Sequence, residues 1–132
     1  DTMGDYVGEM VIKLMNKKGV LVKDAKVLIL GVTFKENCPD IRNTKVVDIY
    51  HALHEYTSNI TIYDPWVNTH QVEKEYGVAV TNQLPTDKFD AVILAVAHQE
   101  FAAMDVKALA KDLSVIFDVK GVLPRNIIDG RL

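Results

Sequence analysis

The sequence predicts an α/β domain: a mostly parallel sheet covered by helices on both faces, in three layers, with one leading helix. Three observations carry this. Four apolar runs of strand length, at 27–30, 60–63, 91–96 and 115–117, are mostly continuous rather than alternating, as strands buried on both faces must be. Segments of helical period alternate with them along the chain. With 132 residues, the chain is long enough for one domain that buries roughly two thirds of its unfolded surface without covalent staples.

Each element has its own signal. Met3, Val7, Met10, Val11, Leu14 and Met15 recur at three- and four-residue steps, and Lys17, Lys18 and Gly19 supply a cationic last turn and a stop. That is a leading helix of about four turns. After the first strand, Asn43 and Thr44 are cap candidates for a helix with the stripe Val46, Ile49, Tyr50, Leu53 and Tyr56. Residues 69–76 predict a short helix and Val78-Ala79-Val80 a minor strand. Asp105 is the cap candidate of a last helix carrying Val106, Leu109 and Ala110. The order α-β-α-β-α-β-β-α-β is that of a doubly wound, Rossmann-like sheet.

Composition narrows the function. Fifteen basic against eighteen acidic residues leave a net charge of −3, so the basic stripe that nucleic-acid binding requires is missing. No apolar run reaches the roughly 18 residues of a membrane helix, and no charged start followed by an apolar stretch suggests a signal peptide, so a cytoplasmic location is expected. A lone Cys38 excludes an internal disulfide, and four scattered histidines give no metal-ligand spacing, so no metal is expected. The chain begins Asp1-Thr2-Met3-Gly4 without an initiator methionine, which suggests a piece of a longer polypeptide.

In doubly wound sheets, ligands bind outside the carboxyl ends of the strands. The loops concerned are 31–43, 64–68, 97–100 and 118–125. The first is unusually long for a connection between strand and helix. It has only Gly31, where a dinucleotide fingerprint needs three glycines in a tight turn. Lys35 offers a compact charge with three donors, Arg42 a planar fork suited to phosphate oxygens, and Asp40 a local partner for either. The alternative for both cations is an ordinary solvated surface. Cys38 has no neighbouring base in sequence, which favours a loop residue over a nucleophile. For His98 the choice lies between a ligand contact and a hydrogen-bonded, helix-capping residue, for Asp64 between a ribose partner and an Asx turn. Trp66 reads as a packing anchor, and Lys120 either faces a phosphate or caps carbonyls at the sheet edge.

The segment Gly31-Val32-Thr33-Phe34-Lys35, followed by Asn37-Cys38-Pro39-Asp40-Ile41-Arg42-Asn43-Thr44, resembles the G-x-x-F-K-x-x-T/C-x-D-x-R-x-S/T loop of the UDP-glucose/GDP-mannose dehydrogenase family, in its C-terminal, UDP-sugar-binding domain. Met3-Gly4 with Tyr6-Val7, Tyr63-Asp64-Pro65, 97–101 and Asp118-Val119-Lys120-Gly121 agree in order, so the resemblance spans nearly the whole chain. It implies that 1–20 is the end of a central, interdomain helix and 21–132 the UDP-sugar-binding domain. It further implies an NAD-dependent oxidoreductase that takes the C6 hydroxyl of a nucleotide sugar to a carboxylate through a cysteine thiohemiacetal, for polysaccharide precursors. The NAD-binding domain and the nucleophilic cysteine would lie outside this chain, which alone should not turn over. Full-length enzymes of this kind are expected to be homodimers.

Residue by residue, Lys35 resembles the family lysine at the sugar's reacting end, a catalytic role, and Phe34 its neighbour lining the nucleotide-sugar pocket. Arg42 resembles the arginine that reaches NAD across the interdomain cleft, and Lys120 is the remaining substrate-binding candidate. Cys38 stands where many UDP-glucose enzymes have threonine, and Gly121 where they usually carry arginine. Both departures point to the branch acting on UDP-N-acetylhexosamines. The competing readings are a stand-alone dinucleotide-binding domain and a flavodoxin-like interaction module. The single glycine opposes the first, and the second would want an acidic pair where Thr33-Phe34 stands and an aspartate where Ala97-His98 stands.

Overall fold

The computed structural model describes residues 2–132; Asp1, which opens the 1–20 segment, lies outside them. Helix α1 (Thr2–Lys18) leads into strand β1 (Val27–Leu30), followed by α2 (Val46–His54), β2 (Ile60–Tyr63), α3 (Thr69–Tyr76), β3 (Phe89–Leu94), α4 (Gln99–Ala102), β4 (Ala110–Asp118) and β5 (Gly130–Arg131). The sheet order is β2-β1-β3-β4-β5, every pairing parallel. The expected α/β class and parallel sheet are therefore present.

Side-chain alternation divides the strands between two cores. Val27 and Ile29 of β1, Ala91 and Ile93 of β3, and Val115 and Phe117 of β4 face α1 and α2, meeting Val7, Val11, Met15, Ile49 and Leu53. Leu28, Leu30, Val92, Leu94 and Ile116 face the other way, onto Phe101 of α4 and the Val106–Leu109 turn. That second layer is thin, because its helical pieces are one turn each. α1 lies very close to α2: a Cβ on Gly8 would stand 2.8 Å from the Ala52 Cβ.

Several local expectations change. Residues 78–80 are not a strand; the sheet edge gains one isolated parallel bridge, Thr81 to Tyr63. Gly77 closes α3 in a left-handed conformation, and only a few residues remain before the chain must turn back toward β3. The helix expected after Asp105 is a single 3-10 turn whose Asp105 side chain makes no cap bond, and Ala110 already belongs to β4. β4 is thus longer than the apolar run at 115–117, since Lys111, Asp112 and Leu113 extend it while exposed. Asn43 takes a φ of +60° and does not cap α2, whereas the Thr44 hydroxyl accepts from the Val46 N–H at 3.2 Å. Tyr56 falls beyond α2, which ends at His54, and is exposed. β5, two residues long, has no sequence signal of its own.

Candidate functional site

The sheet order reverses between β1 and β3: the chain runs outward from β1 to β2, then returns to the opposite side of β1. A crevice opens at such a reversal, outside the carboxyl ends of the two strands. Gly31 leaves β1 at φ +95°, where a Cβ would lie 2.6 Å from the Val96 Cβ, so the two outgoing segments touch. Above this contact is a cleft of about 160 Å³ lined by Thr33, Phe34 and Lys35 after β1, Lys45 and Val46 at the start of α2, and Lys120 after β4.

Three of the four predicted site residues, Phe34, Lys35 and Lys120, therefore share one cleft. Phe34 exposes 55% of its surface, which suits a ring that covers a ligand rather than one that fills a core. Lys120 sits on a turn held by Asp118, whose buried carboxylate accepts from the N–H groups of Lys120, Gly121 and Leu123 at 2.7–3.0 Å. Lys45 is the residue that sequence reasoning missed; its only signal was its place between the cap candidates and the α2 stripe. Three lysines around one small cleft favour an anionic ligand.

Arg42 stands elsewhere. It borders a separate shallow hollow with Pro39, Asp40 and Gln71, and its side chain is 85% exposed. Its guanidinium donates to both Asp40 oxygens, at 3.0 Å from Nε and 2.9 Å from Nη2, and its backbone N–H donates to Oδ1 at 2.9 Å. These bonds hold the Asp40 carboxyl down to about 2 and bind the Arg42 proton more tightly than usual. The Phe34 N–H donates to the Asp40 carbonyl at 2.7 Å, closing the loop on itself with Lys35 inside the closed segment and Arg42 just beyond it.

The loop is anchored from within by polar groups. Asp64 is fully buried and its carboxylate accepts from the Val32 N–H at 2.8 Å, the Trp66 N–H at 2.7 Å and His98 Nε2 at 2.9 Å. Asp64 thus forms the expected Asx turn and also reaches the first loop. His98, likewise fully buried, starts α4 but makes no side-chain cap bond; its Nδ1 accepts from the Asn37 N–H at 2.9 Å. The Thr33 hydroxyl donates to the Lys35 carbonyl at 2.8 Å and lies 3.2 Å from His98 Nε2. Trp66 packs on the His98 ring and donates to Glu100, as an anchor would. Cys38 is partly exposed. Among the described residues no cluster of His, Cys, Asp or Glu could hold a metal ion, and no helix is long and apolar enough to cross a membrane.

A parallel sheet that reverses its order beside a cleft lined by three lysines defines a doubly wound α/β domain with a crevice at its switch point. The chain belongs to the UDP-glucose/GDP-mannose dehydrogenase family, whose UDP binding domain matches residues 28–125. It is 47% identical to a UDP-N-acetyl-D-glucosamine 6-dehydrogenase of Salmonella typhi and 43% identical to one of Pseudomonas aeruginosa, across its whole length. It spans 32% of the length of each. The expected likeness to the UDP-N-acetylhexosamine branch is borne out by these relatives. A solved structure, an NDP-N-acetyl-D-galactosaminuronic acid dehydrogenase from Methanosarcina mazei Go1, has the same fold, with a TM-score of 0.78 at 20% identity over 96% of this chain and 29% of that one.

Proposed function

We propose that this chain is the nucleotide-sugar-binding domain of an NAD-dependent 6-dehydrogenase acting in the cytoplasm on a UDP-hexose or UDP-N-acetylhexosamine, within a polypeptide that pairs as a homodimer. Residues 1–20 would be the end of its interdomain helix and 21–132 the binding domain. The observation that carries the reading is the meeting of Phe34, Lys35 and Lys120 in one cleft at the reversal of strand order. Phe34 covers the nucleotide sugar, Lys120 faces its phosphates, and Lys35 stands at the reacting end, where its ammonium stabilises charge that develops on the sugar oxygen.

For NAD the fit is partial. The turn after β1 has no glycine-rich cradle, and Gly31 is occupied by contact with Val96 rather than by space for a pyrophosphate. The dinucleotide, which accepts hydride when bound, belongs mainly to a domain outside this chain. Arg42, exposed beside the loop, is this chain's contribution to it, and Asp40 holds the guanidinium plane until a phosphate competes for it. A stand-alone dinucleotide-binding domain fits less well for the same lack of a cradle.

Calorimetric titration of the chain with a panel of UDP-sugars tests the site: binding that Lys120→Ala and Phe34→Ala weaken supports it, and no binding to any member refutes it. In the complete dehydrogenase, Lys35→Ala should lower kcat by about 10²-fold or more, since the contact acts in the transition state. Arg42→Ala should instead raise the NAD KM more than it lowers kcat. If both variants raise only the UDP-sugar KM, the division of labour is wrong.

A further inference from the structure

We propose that His98 is a positioning residue: one neutral tautomer of its buried ring holds the 33–37 turn at both ends and so sets where Phe34 and Lys35 stand in the cleft. The functional side of this inference rests on the nucleotide-sugar reading above, whereas its geometry does not. The donor and acceptor count decides the tautomer. A backbone N–H can only donate, so Nδ1, 2.9 Å from the Asn37 nitrogen, must carry a lone pair. The ring proton is then on Nε2, between Asp64 Oδ2 at 2.9 Å and Thr33 Oγ1 at 3.2 Å. Thr33 has already given its own proton to the Lys35 carbonyl, so its oxygen is free to accept. Asp64 has its remaining oxygen on the Trp66 N–H. Among the described residues no buried side-chain polar atom is left without a partner, as this assignment requires.

The anchored residues flank Lys35 at two positions on either side. Asn37 has a φ of +55°, a left-handed conformation that asparagine adopts more readily than other non-glycine residues. Two bonds fix it in place: its N–H to His98, and its Oδ1 accepting from the Gln99 N–H at 2.8 Å. The ring itself is fixed by Trp66 and Phe101, at centroid distances of 5.9 and 5.5 Å. Phe34 and Lys35 line the cleft, while His98, Asp64 and Asn37 do not, so His98 acts through the turn. Turn and histidine are 61 residues apart in sequence at Asn37, so β3 must be in place before the site turn has its shape.

The test uses the 15N-labelled chain at neutral pH, with UDP as the titrant and amide signals as the readout. Wild type should show Nδ1 unprotonated and Nε2 protonated in the ring nitrogen shifts, with the Asn37 amide protected from exchange. His98→Ala should reduce that protection and weaken UDP by about tenfold each, the effect of losing one well-placed hydrogen bond. His98→Asn, whose carbonyl oxygen takes the place of Nδ1, should restore both to within about threefold of wild type, the Asn37 bond being the stronger hold, although its contacts with Asp64 and Thr33 are lost. A purely structural histidine would lose thermal stability in both variants without this selective rescue. The opposite tautomer in wild type, unchanged Asn37 protection in a folded His98→Ala, or His98→Asn no better than alanine would each overturn the proposal. Should wild type bind no UDP, the nucleotide-sugar reading fails, and the tautomer and Asn37 protection still decide the positioning.

Discussion

Replacing Gly31 by alanine probes the junction on which the cleft is built. The residue leaves β1 at φ +95°, a conformation that costs an L-residue about 1–2 kcal/mol. The new methyl would also lie 2.6 Å from the Val96 Cβ and 3.0 Å from the Val96 nitrogen, well inside van der Waals contact. Overpacking of this kind costs about 1–3 kcal/mol, so Gly31→Ala should lose about 2–5 kcal/mol in all. That is a large share of the 5–15 kcal/mol typical of a whole domain. The two parts can be separated by a double-mutant cycle with Val96→Gly, which removes the Val96 Cβ itself. The single Val96→Gly variant removes three buried carbons and adds backbone freedom, and should cost about 3 kcal/mol or somewhat more. In the double variant the side-chain clash is gone, while the backbone strain and the approach to the Val96 nitrogen persist. The cycle should therefore show a favourable coupling of about 1–2 kcal/mol and not complete rescue. Urea unfolding with a shared m value measures all four chains. A Gly31→Ala cost below about 1 kcal/mol, or a coupling of zero, would refute the claim that close contact with Val96 shapes this junction.

Asp40 should titrate near 2 by NMR: its folded pKa lies below the ordinary 3.8, so the Arg42 pairing is fully present above pH 3.8 and lost as pH falls through about 2. Arg42→Ala should return that midpoint toward 3.8, and an unchanged midpoint would show that another group holds the carboxylate down. Gly8→Val should separate α1 from α2 and cost about 1–3 kcal/mol in chemical unfolding, since even a Cβ there would stand 2.8 Å from the Ala52 Cβ; a neutral result would mean the helices part freely. The 132-residue chain, folded as judged by circular dichroism, should reduce no NAD with any nucleotide sugar, and measured turnover would contradict the assignment of the nicotinamide site to another domain.

Much of the molecule was legible in its sequence because the deciding physics is local. Continuous apolar runs announce strands buried on both faces, and the stripe from Met3 to Met15 announces a helix that must pack on something. The spacing from Gly31 to Thr44 carried the family resemblance, and with it Phe34, Lys35 and Arg42. Where the local signal was weak, the outcome depended on distant partners. β5 exists because Gly130 and Arg131 meet Phe117 and Asp118, and residues 78–80 stay out of the sheet although their composition suits a strand. The cleft was the same kind of decision: Lys120 joins Lys35 only because β4 runs parallel beside β3, which lies next to β1. Asp64, His98, Thr33 and Asn37 each looked ordinary alone. Their hydrogen bonds cross 32 to 65 positions of chain, and a hydrogen bond needs its two atoms within about 3 Å, a condition that residue spacing along the sequence does not encode and only the folded sheet meets.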